Sequence, residues 1–135
     1  MRFPIALTAI VTLLVGCSSA TPAAAPSTPA SSTPASECEL VPESLESVLF
    51  DEEYDFVVLD ASAVRSPDHD SVWYVAAKAT DGDNDVVGIF ATTSLAKPDS
   101  VRSVNGIAKE FSSWPTDKGL SQTDDAAEAA RRCLA

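Results

Sequence analysis

The chain has 135 residues, with 20 acidic side chains against 9 basic ones and a net charge of −11 at pH 7. An acidic protein repels phosphate backbones and anionic headgroups, so nucleic acid is excluded as a partner and surface charge cannot hold the chain to a membrane. The five glycines are scattered and form no phosphate-binding cradle.

The first segment carries one basic residue, Arg2, then an apolar run from Ile5 to Val15 and small Gly16 just before Cys17. That layout is a secretory signal, too short and too sharply ended to span a bilayer. Leu14-Val15-Gly16-Cys17 resembles the bacterial lipobox. The resemblance implies that residues 1–16 are a signal peptide, removed before Cys17. Cys17 then becomes an acylated N-terminus, with a diacylglyceryl group and a further chain such as palmitate. More than one acyl chain gives stable anchoring without a transmembrane helix. The expected location is the cell membrane, lipid-anchored on its extracytoplasmic face.

Residues 17–36 follow as the lipidated cysteine and a tether. From Ser18 to Ser36 the chain is alanine, proline, serine and threonine with no charge, and Pro22, Pro26, Pro29 and Pro34 favour extended backbone. Its hydroxyls suit O-glycans, although a plain spacer explains the composition as well. Charged and large apolar residues appear together from Glu37, so residues 37–135 are expected to form one small globular domain.

Within that domain, Pro42 and Glu43 open a helix whose apolar face is Val41, Leu45, Val48 and Leu49. A strand is expected from Tyr54 toward Val64, ended by Ser66-Pro67-Asp68. Two β-rich runs, Val72–Thr80 and Val86–Thr92, flank a polar turn and read as a hairpin. Alternation places Trp73, Val75, Ala77 and Ala79 on one face, and Tyr74, Ala76 and Lys78 on the other. Val101 and Val104 suit a short extended piece, and Ile107, Ala108 and Phe111 step as a helix from about residue 105 to 113. A last helix is capped by Thr123, with Asp124 and Asp125 in its first turn and Arg131 and Arg132 in its last turns. The fold class is therefore α+β: a small antiparallel sheet of about three strands with helices packed on one face.

Cys38 and Cys133 remain as an even pair in an oxidising compartment, so a disulfide stapling the domain's termini is expected, with two buried thiols as the alternative. That bridge would tie the last helix to the first. No C-x-x-C pair points to redox chemistry.

Three groups carry possible chemistry. Asp81, Asp83 and Asp85 have the alternate spacing that opens a calcium loop, but Val86 stands where glycine is wanted and Thr92 where a bidentate glutamate should close the site. A hydrophilic turn explains them better, and no cofactor or metal is expected. His69 is the only histidine and sits between two aspartates, which suggests the base of a serine hydrolase, yet no G-x-S-x-G elbow accompanies it. Tyr74 and Phe90 belong in the core, unless one face of the hairpin exposes them as a binding patch.

The lipobox, the Ala/Pro/Ser/Thr tether, the runs Val72-Trp73-Tyr74-Val75-Ala76-Ala77 and Val87-Gly88-Ile89-Phe90-Ala91-Thr92, and the terminal cysteine together resemble small lipoproteins of high-GC Gram-positive bacteria. This likeness brings no activity and no functional residues. The resulting expectation is a non-enzymatic, lipid-anchored module that binds an envelope protein or a small ligand. A hydrolase using His69 and a weak calcium-binding envelope protein are the alternatives.

Overall fold

Five antiparallel strands form a meander in chain order, β1-β2-β3-β4-β5, in a computed structural model that describes residues 37–135. The expected lipobox, Cys17 and the expected tether lie outside the described residues. The strands are β1 (Glu39–Leu40), β2 (Val57–Arg65), β3 (Trp73–Thr80), β4 (Asp85–Thr92) and β5 (Arg102–Ser103). Three are long and two are two-residue edges, which corrects the expected count of about three. Both short strands flank proline-containing segments, and a two-residue pairing leaves almost no apolar alternation to detect.

The β3–β4 hairpin has the expected phase. Trp73 pairs with Thr92 and the register runs unbroken to Thr80 and Asp85. Val75, Ala77 and Ala79 enter one apolar cluster, whereas Tyr74 and Ala76 enter another. The two clusters lie on opposite faces of the sheet, because neighbouring residues of a strand point to opposite sides.

Each face has its own cover. On the first, α1 (Glu43–Glu46) and α2 (Gly106–Glu110) contribute Leu45 and Ala108, packed with Leu49, Phe50, Phe90 and Val101. On the second, α3 (Asp125–Arg132) buries Ala126, Ala127, Ala129 and Ala130 against Val64, Tyr74, Ala76 and Ile89. The helices therefore occupy both faces, a correction to the one-faced arrangement. The alanine run in α3 has no large apolar stripe to mark it as a core helix; its small side chains instead let the helix backbone approach the sheet closely.

Local chemistry sets the helix ends. Pro42 is the residue before α1, with φ −65° and ψ 142°, and its carbonyl accepts from the N–H groups of Leu45 and Glu46. Asp124, rather than Thr123, occupies the N-cap of α3, yet its carboxylate does not cap the helix. Asp125 and Glu128 in the first turn and Arg131 and Arg132 in the last complement the helix dipole. Cys133 follows directly and is bonded to Cys38, with their Cα atoms 6.0 Å apart. The disulfide thus staples α3 to the segment entering β1, not to α1.

A bulge in β2 determines what the sheet shows to solvent. Val58 pairs with Ala79 and Asp60 with Lys78, leaving Leu59 as an extra residue. Without it, Val57 and Leu59 would share the buried face of Ala61 and Ala63. The bulge reverses the alternation: Val58 packs with the first cluster, while Val57 and Leu59 stay 62% and 52% exposed.

Candidate functional site

Among the described residues, the exposed large apolar side chains are Leu40, Tyr54, Val57 and Leu59. All four lie on β1, on the first half of β2 or on the turn entering β2. This edge of the sheet is only partly covered. β1 pairs with Ala63 and Ser62, and the chain then leaves the sheet through Val41 and Pro42 into α1. Among the described residues, no strand continues alongside positions 57–61.

Two depressions border the same edge. One, of about 170 Å³, has Phe50, Phe56 and Val58 as its apolar wall and Glu43, Glu46 and Ser47 on α1 and its end as its polar rim. The other is a cleft of about 640 Å³ at the far end of β2, where Val64 and Pro67 meet Glu37, Glu39, Arg65 and Trp73. The Arg65 guanidinium lies 5.9 Å from the centre of the Trp73 ring, a cation–π approach that covers part of that wall.

The wall of the smaller depression is held by an aromatic chain. Phe90 meets Phe50 edge-on at 5.4 Å, Phe50 meets Phe56 at 5.3 Å, Phe56 meets Phe111 at 4.9 Å, and Phe111 meets Tyr54 at 5.1 Å. Asp51 ties this wall to the region after α2, accepting from Ser113 Oγ at 2.7 Å and Ser113 N–H at 3.1 Å. Trp114 Nε1 donates to the Val48 carbonyl at 2.8 Å. The rim is electrostatically unrelieved: burial first, then the neighbouring charges of Glu43 and Asp60, push the Glu46 carboxyl above its ordinary value. Among the described residues, no ion pair reaches Glu43 or Glu46.

The residues singled out from sequence fall elsewhere. Tyr74 and Phe90 are both fully buried and lie in different clusters, so they form no exposed patch. Their burial follows from the two-sided cover, which leaves neither face of the hairpin open. Asp81 Oδ1 accepts from the N–H groups of Asp83 and Asn84 at 2.9 and 2.8 Å, bonds that hold its carboxyl below the ordinary value. Asp85 lies 3.8 Å from the Lys78 ammonium. The acidic cluster is thus engaged in making and flanking a hairpin turn, with Gly82 at φ 100°.

His69 has a different setting from a free loop histidine. Its Nε2 lies 3.4 Å from Asp124 Oδ2, and the same oxygen accepts from the Tyr74 hydroxyl and the Ser121 N–H. The Tyr74 hydroxyl is the leading cause that holds the Asp124 carboxyl below its usual range. Burial, followed by the bond and charge of Asp124, pushes the Tyr74 phenol upward. Ser66 Oγ accepts from the backbone N–H groups of Asp68 and His69 and shapes their loop. This cluster joins the β2–β3 loop, β3 and the start of α3 through one carboxylate.

Neither a protein family, a curated protein nor a solved structure matches the chain. Its functional reading therefore rests on geometry. Sequence reasoning made no reading of Leu40, and it missed Val57 and Leu59 as surface residues because in a β-rich run they read as core. Only the bulge and the early departure of β1 expose them.

Proposed function

We propose that this protein is a lipid-anchored binding module, held to the membrane through Cys17 and working on its extracytoplasmic side. Its binding surface is the β1/β2 edge. The observation that carries this reading is that Leu40, Val57 and Leu59 lie exposed along one sheet edge while both sheet faces are packed. Exposing large apolar side chains forgoes their burial energy and invites association, so three of them along one edge favour reading it as an interaction surface. The partner is another component of the cell envelope.

A photoreactive amino acid at position 59 tests the reading in intact cells, with the same probe at Asp83, on the distant hairpin turn, as the control. A product formed from position 59 and absent from position 83 supports the module. Identical products from both positions, or none from either, overturn it.

A further inference from the structure

We propose that the open edge of β2 accepts an extended, cationic segment of a partner protein as an added antiparallel strand, with a lysine or arginine side chain seated in the cavity between α1 and β2. The inference rests on reading that edge as the binding surface and specifies the occupant.

Backbone geometry makes the first part of the argument. Positions 57–61 contain the bulge at Leu59, so an added segment would pair in two short stretches on either side of it rather than as one unbroken ladder. β1 stops after Leu40, so such a segment continues the edge where β1 leaves it. Added strands gain affinity from main-chain hydrogen bonds and specificity from pockets that take alternate side chains.

The cavity supplies the pocket. Phe50, Phe56 and Val58 offer an apolar wall for a long methylene stem, and Glu43 and Glu46 stand on the rim where its charged head would emerge. Asp60 adds a weaker negative influence on Glu46, its own Oδ2 already accepting from the Ala135 N–H at 2.6 Å. A cation there relieves repulsion that the free protein carries.

The same chemistry disfavours the other occupants. A second copy pairing edge to edge would bring another Glu43 and Glu46 into an already acidic region. Residues 18–36 of this chain hold no charged side chain to meet the carboxylates.

The test uses the full-length protein in detergent and two fluorescein-labelled octapeptides, one alternating valine with lysine and one alternating valine with glutamate. The lysine peptide should bind saturably and protect the amides of residues 57–61 from hydrogen exchange. The double variant Glu43→Lys, Glu46→Lys should weaken it by about tenfold or more and favour the glutamate peptide instead. Because both positions are on the protein's surface rim, an unchanged thermal midpoint will show that the variant is folded. Equal binding of the two peptides, or binding without protection of 57–61, overturns the proposal. So does concentration-dependent dimerisation that protects the same amides, or protection that is present without peptide and lost when residues 18–36 are deleted. If neither peptide binds while the position-59 probe still crosslinks a partner, the cationic strand is wrong and the binding module stands.

Discussion

Asn105 does more for this fold than its place in a polar stretch suggests. Its Oδ1 accepts from the N–H groups of Ile89 and Ala108, and its Nδ2 donates to the Val87 carbonyl, each at 2.9 Å. One side chain thus caps α2 and satisfies backbone groups of Val87 and Ile89 in β4. Asn105→Ala leaves buried backbone groups without partners and should destabilise by about 2–4 kcal/mol in chemical denaturation. Gly88 is constrained differently: a Cβ there would lie 2.7 Å from Phe90 and 3.0 Å from Phe50. Both rings are buried in edge-on contact, so Gly88→Ala should cost about 1–3 kcal/mol through forced ring movement. The Tyr74–Asp124 bond gives a pH signature. Asp124 has a lowered carboxyl pKa when folded, so its contribution is present above the unfolded value and lost as pH falls through the folded one. Tyr74 has a raised phenol pKa, so its contribution is complete below pH 10.0, the ordinary value, and declines as pH rises beyond it. Tyr74→Phe should therefore lower stability near neutrality and flatten both the acid and the alkaline limbs of a pH–stability curve.

At the scale of elements, α1 and α3 depend on different supports. α1 has only four residues and no side-chain cap, so its stability comes from burying Leu45 and from the aromatic wall behind it. α3 is eight residues long, with an alanine face and a covalent stop. The bridge closes a loop over a sequence separation of 95. Replacing both Cys38 and Cys133 with serine should cost about 2–5 kcal/mol, read as a lower denaturation midpoint with the greatest gain in hydrogen exchange at α3 and β1. The bulge is the element that controls surface chemistry. Deleting Leu59 should close the bulge in place: Val58 stays opposite Ala79 and packed, Val57 stays outward opposite Thr80, and the edge loses one of its apolar side chains. Crosslinking from a probe at position 57 should therefore persist in the deletion variant, and its loss would show that the register had shifted.

At the scale of the whole molecule, charge is unevenly placed along the chain. The acidic excess lies entirely at or beyond Glu37, and removal of residues 1–16 makes the remainder one unit more negative because Arg2 departs. An acidic domain on an uncharged tether, on the proposed reading, stands off from anionic headgroups and attracts cationic partners. On the proposed reading, Cys17→Ala should move the protein from the membrane fraction to the soluble extracytoplasmic fraction. Fractionation of cells expressing each form checks this, and retention of the variant in membranes would contradict the anchor.

The hairpin, the apolar phase of β3 and the pairing of Cys38 with Cys133 were legible in the sequence, because they depend on local alternation, turn residues and an even cysteine count. The existence of a terminal helix was legible as well, through its charge asymmetry. Other features depend on partners distant in the chain. The second helical layer could not be read from α3, since an alanine stripe does not say which face it covers. Tyr74 acquires its buried role only when Asp124, 50 residues later, arrives beside it. The exposed edge is the clearest case: Val57 and Leu59 have the composition of core residues, and a single extra residue in the β2–β3 register turns them outward. The sequence by itself determined composition, charge, turn chemistry and the alternation of the β3 side chains, all of which are local. Tertiary structure alone decided which faces met, where the sheet stopped and which apolar groups stayed in water, because these are outcomes of packing among segments far apart in the chain.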